Sequence, residues 1–553
     1  MKQKNRILIV MFLFACLFGG FYEFSAMIMM GILVMYLVLV YEKKKVLKIP
    51  KSTEFIGIVI IAAAYVLTVF YGIDSGVSLS GVLKIFSIIV FYLFWNNTSD
   101  DEKSFIWSAI PTTGAAVTFL AIAVYPFENI RDLFYRAGRL GGTFQYSNTY
   151  ALFLLIGLIV LLHVEMWRLK EKIEMAVLIL GIIFSGSRSV VILGAVVLLL
   201  ILIRKRSYKR MLFILPIMVV AIIIGGLFLD LDITRFLKMT VNSSTLNGRF
   251  LYWYDAIPVL WKHPFGLGYM GYYFLQPQIQ SGNYVTKFVH NDFWQLGLDA
   301  GIIPMVIVLI IVGKVLVSKN VEVRQKIILS VLFLHSLFDF DMQFVLMAFI
   351  SVMCISNPQE PHIIIGKKQR NMAIPILATT GVISIYFAVA FGMAYLGQHD
   401  VALKLYPYNT FAREERMQME EEKLSDAEII IQTNGTLPDA YEARIQNKCE
   451  NGMYDEILND VGQMLDHAGY QADYYNQAVY YLSIALDNAI RSDDLENAQE
   501  ILKAIQNIPD RIEKIYSRTS KLAYKINDKP EIELETSIQE YLDKVSNVTL
   551  EQN

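Results

Sequence analysis

The chain has 553 residues, of which 55% are hydrophobic, and its mean hydropathy is +0.44. These values are too high for a soluble protein of this size and indicate a polytopic membrane protein. The net charge of −2 excludes no class of partner, because it averages an apolar region up to residue 396 and a polar region from residue 397. The three cysteines, Cys16, Cys354 and Cys449, form no motif, so the sequence predicts neither a disulfide framework nor a metal site.

Hydrophobic runs predict about 12–13 transmembrane helices, most of them close to the roughly 17–25 residues that cross a bilayer core. The runs cover residues 6–22, 24–40, 54–72, 78–95, 104–125, 148–165, 173–185, 187–203, 211–229, 292–317, 324–339, 341–357 and 372–395. The first run follows a short basic segment, as a signal peptide does, but we expect it to be retained. The predicted fold class is all-α, a polytopic bundle of membrane helices followed by a soluble helical region.

The clusters of Lys and Arg between these runs all fall on one side when the spans alternate from a cytoplasmic N terminus. These basic loops cover residues 43–51, 168–172, 204–210, 314–326 and 367–370. Cytoplasmic loops carry an excess of Lys and Arg, so the alternation predicts which loops face the cytoplasm. The charged and titratable residues left outside are Arg131, Arg136, Arg139, Arg188, Arg249, His290, His335, Asp339 and Asp341.

Most of the external positive charges are arginines, whose planar guanidinium group can donate two hydrogen bonds to one phosphate. External arginines work against the usual charge bias, so the set calls for another reason. We interpret it as a site at the outer membrane surface for an anionic, phosphorylated ligand. The alternative for any single arginine is contact with lipid headgroups. Lys84, about two turns inside its span, either reaches the same site or snorkels to the surface.

The longer of two long external loops, residues 230–291, is where we expect function, because long loops in compact membrane proteins are usually functional. Ser243 and Ser244 predict the cap of a helix within this loop. On that helix Arg249 and Trp253 are four residues apart and share a face, and we expect the helix to break near Pro258.

Histidines mark two external positions. His290 lies where the long loop meets the next span, and a neutral imidazole there can take a proton from an attacking hydroxyl. The alternative is a histidine hydrogen-bonded at the membrane interface. His335 and Asp339 are four residues apart, which predicts that the carboxylate orients the ring, with Asp341 beside them. Such groups are costly to keep at membrane depth without a purpose.

The region from residue 397 is predicted to be helical, since apolar residues recur at spacings of three and four in 441–465, 474–490, 495–505 and 512–526. The pattern is similar to a tetratricopeptide-type helical pair, without a clean period of about 34 residues. Thirteen crossings would place this region outside the cytoplasm. Two interpretations are open: it binds or positions a protein partner, or it is a packed helical appendage without a ligand.

Short blocks of small, basic and aromatic residues follow one another between about residues 120 and 345. They are Arg139-Leu140-Gly141-Gly142-Thr143-Phe144 with Asn148, Ser185-Gly186-Ser187-Arg188, Asn247-Gly248-Arg249 with Trp253, Pro264-Phe265-Gly266-Leu267-Gly268, His290-Asn291-Asp292, and His335-Ser336 with Asp339-Phe340-Asp341. Their order and spacing resemble the O-antigen ligase and O-antigen polymerase superfamily. The ordered set is more specific than any one block.

The resemblance implies a metal-independent, inverting glycosyltransferase without a cofactor, acting at the outer face of the cytoplasmic membrane in cell-surface polysaccharide synthesis. The implied donor is a glycan on a polyprenyl pyrophosphate such as undecaprenyl pyrophosphate, and the acceptor is a glycan, wall polymer or protein. Membrane lipids surround it, and no nucleic acid is implied. Carried over to this sequence, Arg188 and Arg249 hold the pyrophosphate and His290 assists the acceptor hydroxyl. The further candidates for binding substrate are Arg139, Lys84, Trp253, His335 and Asp339.

Two other functions fit a polytopic membrane protein. A transporter or flippase for lipid-linked saccharide would place polar groups at the membrane midplane and show inverted repeats, whereas here they gather at the external ends of the spans. A scaffold presenting a helical protein-binding domain would not need these arginines and His290 on one side. The sequence therefore favours the transferase, with residues 1–396 as its transmembrane domain and 397–553 as an external helical domain.

Overall fold

The computed structural model describes residues 19–22, 24–204, 208–228, 244–356, 361–419, 423–526 and 532–549. Helices make up nearly all of the regular structure in these residues, and strands are few and short. The prediction of an all-α polytopic membrane protein is confirmed.

The helices before residue 396 are α1 (Phe24–Lys44), α2 (Thr53–Tyr71), α3 (Ser75–Asn97), α4 (Asp100–Val124), α5 (Glu128–Arg131), α6 (Ser147–Leu162), α7 (Leu169–Phe184), α8 (Arg188–Arg204), α9 (Tyr208–Phe228), α10 (Ser244–Lys262), α11 (Gly271–Ile279), α12 (Asp292–Ala300), α13 (Ile302–Val317), α14 (Val323–Ser336), α15 (Val345–Ile355) and α16 (Arg370–Tyr395). Those after it are α17 (His399–Leu405), α18 (Thr410–Gln418), α19 (Lys423–Thr433), α20 (Pro438–Glu450), α21 (Ile457–Ala468), α22 (Ala472–Arg491), α23 (Leu495–Gln506), α24 (Ile508–Arg518) and α25 (Thr536–Val545). The strands are β1 (Leu47–Pro50), β2 (Tyr135–Arg136), β3 (Arg139–Leu140) and β4 (His362–Ile365).

Five helices in the described part of the chain are long and apolar enough, by length and composition, to cross a membrane: Phe24–Lys44, Thr53–Tyr71, Ser75–Asn97, Asp100–Val124 and Lys367–Tyr395. Three further apolar helices, α6, α13 and α15, are shorter. Most of the first predicted span, residues 6–18, lies outside the described residues, and Gly19–Phe21 form one turn of 3-10 helix. Apolar side chains such as Leu67, Ile376 and Val382 are exposed on the long helices, where lipid would cover them.

Three predicted spans differ from the observed helices. The run 292–317 is divided at Gly301, which has a φ of 97°. A Cβ at Gly301 would lie 2.6 Å from the carbonyl oxygen of Pro264, so the chain turns where only glycine fits. The runs 324–339 and 341–357 correspond to shorter helices, because α14 ends at Ser336 and α15 begins at Val345. The turn between them, residues 337–344, carries the candidate site.

The helix predicted in the long loop does not break at Pro258, since α10 continues to Lys262. A proline removes one backbone hydrogen bond, here to the carbonyl of residue 254. Tyr254 lies on an exposed face of the helix, with 63% of its surface accessible, so the lost bond is not buried. Residues 230–243, including the predicted cap residue Ser243, lie outside the described residues.

Loops predicted to be cytoplasmic meet one another. Strand β1 pairs antiparallel with β4, joining the loop after α1 to the segment before α16. Arg370 bonds Glu42 over 2.7 Å across the same junction. Lys314, at the end of α13, bonds Glu54 at the start of α2 over 2.9 Å.

Loops predicted to be external also meet one another. The amide of Ile73 donates to the carbonyl oxygen of Leu267 over 2.9 Å. Asp74, which caps α3, accepts from Thr410 over 2.6 Å and from Asn434 over 3.0 Å. Arg518 donates through Nη2 to the carbonyl oxygen of Pro277 over 2.9 Å. The helices after residue 396 therefore pack on the same face of the molecule as the long loop.

Candidate functional site

Asp339 lies in the turn between α14 and α15 with 1% of its surface exposed, and four side chains from distant parts of the chain bond to it. Arg249 Nη2 lies 3.1 Å from its Oδ2, and His290 Nδ1 lies 3.2 Å from its Oδ1. Tyr146 donates to Oδ1 over 2.5 Å, and Asn148 donates to Oδ2 over 2.7 Å. These five residues are called the Asp339 cluster below. One buried carboxylate thus joins the start of α6 to the long loop predicted to be external, residues 230–291.

Backbone contacts hold the turn that carries Asp339 against the start of α12. The amide of Asp292 donates to the carbonyl oxygen of Asp339 over 3.1 Å. The Asn291 side chain caps α12 and also donates to the carbonyl oxygen of Leu337 over 2.8 Å. His290, immediately before, has a φ of 51°, a conformation that few non-glycine residues adopt. Such a conformation persists only where its surroundings impose it, so the position of the imidazole is fixed.

Trp253 holds the helix that carries Arg249 close to His290. Its Nε1 donates to the carbonyl oxygen of Val289 over 2.9 Å, and its ring packs against Phe338. Arg249 lies one turn earlier on the same face of α10, as the spacing predicted. The partners of Trp253 are therefore the residues that directly precede His290 and Asp339 in the sequence.

Arg139 bonds a member of the Asp339 cluster, and Arg188 follows the turn to which Arg139 also bonds. Arg139 Nη2 donates to Asn148 Oδ1 over 2.7 Å, and its Nε donates to the carbonyl oxygen of Ser185 over 2.8 Å. Ser185 opens the tight turn before α8, in which Gly186 has a φ of 61°. Arg188 is half-buried at the first residue of α8. Arg139 thus links the turn before α8 to Asn148 of the Asp339 cluster.

The expected pairing of His335 with Asp339 is wrong. His335 Nδ1 instead lies 2.6 Å from Asp341 Oδ2, while Asp339 bonds to His290 and Arg249. The prediction assumed one continuous helix, but α14 ends at Ser336, so the two residues do not share a helical face. His335 Nε2 lies 3.0 Å from Ser189 Oγ.

Lys84 points into the protein and does not snorkel to the surface. It is buried, and its Nζ donates to the Tyr269 hydroxyl over 2.8 Å and to Gln343 Oε1 over 3.3 Å. With Asp292 and Asp299 it forms the polar part of an otherwise apolar cavity of about 240 Å³. Lys84 therefore lies beside this second cavity, and neither Tyr269 nor Gln343 is a member of the Asp339 cluster.

The Asp339 cluster is organised around a negative charge. Burial alone would raise the pKa of Asp339, but the hydrogen bond from His290 and the charge of Arg249 outweigh it and hold that pKa well below its usual range. The carboxylate is therefore ionised at neutral pH. Arg249 Nε is buried and has no hydrogen-bond partner among the described residues. Buried guanidinium donors are normally bonded, so this atom is available to a ligand.

His290 borders an open chamber of about 890 Å³. Its walls are mainly aromatic and include Tyr146, Phe288 and Phe340, with Lys287 as a positive charge. Aromatic walls with a few polar groups are typical of sites for sugars and other small molecules. Within the described ranges, no three His, Cys, Asp or Glu side chains are arranged to hold a metal ion.

Sequence reasoning missed Tyr146, Thr149 and Ser189. Tyr146 donates to Asp339, and the hydroxyls of Thr149 and Ser189 bond the Asp341–His335 pair. Each lies within or beside a block that the sequence singled out. Only their distance from the charged residues in space identifies them, and no spacing rule predicts that distance.

The fold defines a multi-pass helical membrane protein, and the Asp339 cluster gathers an arginine, a histidine and a buried carboxylate at one face of it. Residues 173–309 match the family model described as O-Antigen ligase, which supports the resemblance to the O-antigen ligase superfamily. The match includes Arg188, Arg249 and His290 and ends before Asp339. No curated protein matches the chain significantly. The match indicates O-antigen ligase-like glycan transfer at a membrane.

Proposed function

We propose that the protein transfers a glycan from a polyprenyl-diphosphate donor to an acceptor hydroxyl at the outer face of the cytoplasmic membrane. The observation that carries the proposal is the carboxylate of Asp339, which binds Arg249 and His290 through its two different oxygens. A cation for a leaving group and a base for a nucleophile are thereby held side by side. Glycosyl transfer needs both groups on opposite sides of one carbon atom.

Arg249 and Arg188 bind the diphosphate, and Arg139 supports them. Arg249 has a buried Nε without a partner among the described residues, and guanidinium groups bind phosphate oxygens in a bidentate manner. Departure of the diphosphate adds one negative charge to it. Fixed guanidinium groups in a water-poor site stabilise that charge more than they stabilise the bound donor, which lowers the barrier.

His290 is the general base. A carboxylate only accepts hydrogen bonds, so Asp339 requires the proton of the neutral ring to be on Nδ1, and Nε2 carries the lone pair. Asp339 also stabilises the imidazolium that forms when Nε2 takes a proton. The base lies in the wall of the aromatic chamber, where an acceptor sugar has room.

The step balances without a metal or a redox partner. The acceptor oxygen bonds to the anomeric carbon while the bond from that carbon to the diphosphate oxygen breaks, its electron pair leaving with the diphosphate. The acceptor proton passes to His290 Nε2 and then to solvent. Attack from the side opposite the leaving group inverts the anomeric centre.

The helices after residue 396 belong to the external side and act next to the site. Thr410 and Asn434 bond Asp74 at the start of α3. Arg518 bonds the backbone near the end of α11, in the segment that leads to His290. We propose that they bind or position the acceptor or a protein that delivers it.

The test uses purified protein in lipid nanodiscs with a polyprenyl-diphosphate glycan and a panel of acceptors. We expect Arg249→Ala and His290→Ala to lower transfer by about 100-fold or more. The matched controls are Arg131→Ala and His263→Ala, which lie in predicted external loops but are not among the four residues whose side chains bond Asp339. Unimpaired transfer in Arg249→Ala and His290→Ala would refute the site. Movement of lipid-linked saccharide across the bilayer without any glycosylated acceptor would identify a flippase instead.

A further inference from the structure

A second hydrogen-bonded chain of side chains lies next to the Asp339 cluster. His335 Nδ1 is 2.6 Å from Asp341 Oδ2, and His335 Nε2 is 3.0 Å from Ser189 Oγ. Thr149 donates to the other oxygen of Asp341 over 2.7 Å. His335 and Asp341 are 3% and 0% exposed, whereas Ser189 is half-buried. This series of hydrogen-bonded side chains therefore runs from the interior outwards to Ser189.

The burial of Asp341 determines the direction of the protons in this chain. A fully buried carboxylate needs a positive partner or several donors to offset its lost hydration. Asp341 accepts from Thr149 and from His335, so an imidazolium at His335 completes that compensation. An imidazolium donates from both ring nitrogens. Its Nε2–H then donates to Ser189 Oγ, and the single proton of the Ser189 hydroxyl must point away from His335.

Away from His335, the Ser189 hydroxyl faces the turn that contains the diphosphate-binding candidates. Ser187 Oγ lies 3.4 Å from Ser189 Oγ, and Arg188 lies between them in sequence. The same turn is tied to the Asp339 cluster, because Arg139 bonds both the Ser185 carbonyl oxygen and Asn148.

We propose that Ser189 donates a hydrogen bond to the diphosphate of the donor, and that His335 and Asp341 are positioning residues that hold its hydroxyl proton in that direction. The inference rests on the proposed function, because it takes the diphosphate to lie between Arg188 and Arg249. The hydrogen bond from a hydroxyl that itself accepts from an imidazolium becomes stronger as the leaving group gains negative charge. The contribution of Ser189 therefore falls on kcat more than on KM.

The kinetic test compares variants that differ only in the hydroxyl. We expect Ser189→Ala to lower kcat about 10-fold with little change in the KM for donor, since one charge-assisted hydrogen bond is lost. Ser189→Cys keeps the size but is a weak donor, so it should lose as much. Ser189→Thr keeps the hydroxyl and should recover most of the rate. The proposal would be overturned if Ser189→Ala or Ser189→Cys kept the wild-type kcat while melting at the wild-type temperature.

The pH dependence separates positioning from a merely structural role. When His335 loses its proton as the pH rises, Ser189 donates to Nε2 and is withdrawn from the diphosphate, so the wild-type rate falls. The other charged groups near His335 are Asp341 and Asp339 in the turn, Arg249 on α10, Asp292 at the start of α12 and Arg188 beside Ser189. They are present in every Ser189 variant. The rate of Ser189→Ala should therefore not show this fall as the pH rises. The same fall in the Ser189→Ala rate would contradict the proposal.

A binding measurement distinguishes this inference from the proposed function. The probe is polyprenyl diphosphate without a sugar, compared with polyprenol, which lacks phosphate. We expect Ser189→Ala to weaken binding of the diphosphate several-fold and to leave polyprenol binding unchanged, because only the first carries the charge. If wild-type protein binds no polyprenyl diphosphate, the proposed function fails as a whole. If wild-type and Ser189→Ala bind it equally, only the role of Ser189 is refuted.

Discussion

Arg249 and His290 share one carboxylate: Arg249 bonds Oδ2 of Asp339 over 3.1 Å, and His290 bonds its Oδ1 over 3.2 Å. The two residues come from opposite ends of the described part of the long loop. The carboxylate fixes the distance between a cation and a base that the proposed reaction needs on either side of one sugar carbon.

Replacing this carboxylate should uncouple the two groups. Asp339→Asn keeps the shape but removes the charge and places an amide donor against the donors of Arg249 and His290, so we expect kcat for glycan transfer to fall by about 100-fold or more. The control is Asp132→Asn, whose side chain is 77% exposed. Transfer at the wild-type rate in Asp339→Asn would show that the shared carboxylate is not needed.

Arginine chemistry at position 249 should not be replaceable by charge alone. Arg249→Lys keeps the charge but loses the planar fork that bonds Asp339 and a phosphate at once, so we expect a loss of about 10-fold to 100-fold in kcat/KM. Arg131→Lys, at a predicted external position without a bond to Asp339, should retain activity. Equal kinetics for Arg249→Lys and the wild type would mean that a point charge suffices there.

The stability of the protein should fall as pH rises from about 4.5 to about 7 because of Glu414. Burial and the nearby carboxylates of Asp439 and Glu415 raise the pKa of Glu414 from 4.5 to about 7. Across this window the folded protein holds a proton that the unfolded chain has lost, so the free energy of unfolding decreases with pH.

Glu414→Gln removes that dependence and should raise the free energy of unfolding at pH 8 by up to about 3 kcal/mol. Melting curves of the nanodisc protein at pH 5 and pH 8 measure it. The control is Glu513→Gln at an exposed helical position, which should change neither curve. A Glu414→Gln melting temperature that still falls with pH as steeply as the wild type would contradict the assignment.

Gly76 should tolerate no side chain, because a Cβ there would collide with the backbone carbonyl of Tyr408. Gly76→Ala is therefore expected to destabilise the contact between α3 and the helices after residue 396 by about 1–3 kcal/mol. Gly313→Ala is the matched control, since nothing lies within 4 Å of its added methyl group and alanine favours a helix. Melting temperatures report both changes, and a stabilised Gly76→Ala would refute the packing.

The side of the membrane on which the site lies is testable by cysteine labelling of cells with a reagent that does not cross the bilayer. In a background with Cys16, Cys354 and Cys449 replaced by alanine, Tyr254→Cys should react from outside, because Tyr254 is exposed on the helix of Arg249. Lys368→Cys should react only after the cells are opened. The reverse pattern would place the Asp339 cluster in the cytoplasm and exclude an external transferase.

The sequence predicts the membrane helices and their grouping well, because hydrophobic length and basic loops are local properties. The pairing of β1 with β4 and the bonds of Asp74 to Thr410 and Asn434 join only loops that alternation had put on one side. Breaks that depend on neighbouring backbone are not local. Gly301 divides a predicted span because Pro264 lies close, and no property of residues 292–317 indicates that.

For the candidate site, the sequence identifies the charged residues but not all of their partners. Arg249 and His290 were singled out, and both are found at Asp339. His335 was matched to Asp339 by spacing, yet its partner is Asp341, because a helix end at Ser336 breaks the periodicity on which that inference depended. Tyr146 gave no signal, since a tyrosine before a membrane helix is common.

Arg518 donates hydrogen bonds to the main-chain carbonyl oxygens of Pro277 and Gln278 and contacts neither side chain through them. Every residue type offers the same oxygen, so substitutions at those two positions leave these two bonds available. The segment preceding His290 therefore tolerates a change of side chain at these two positions without losing its attachment to the carboxy-terminal helices.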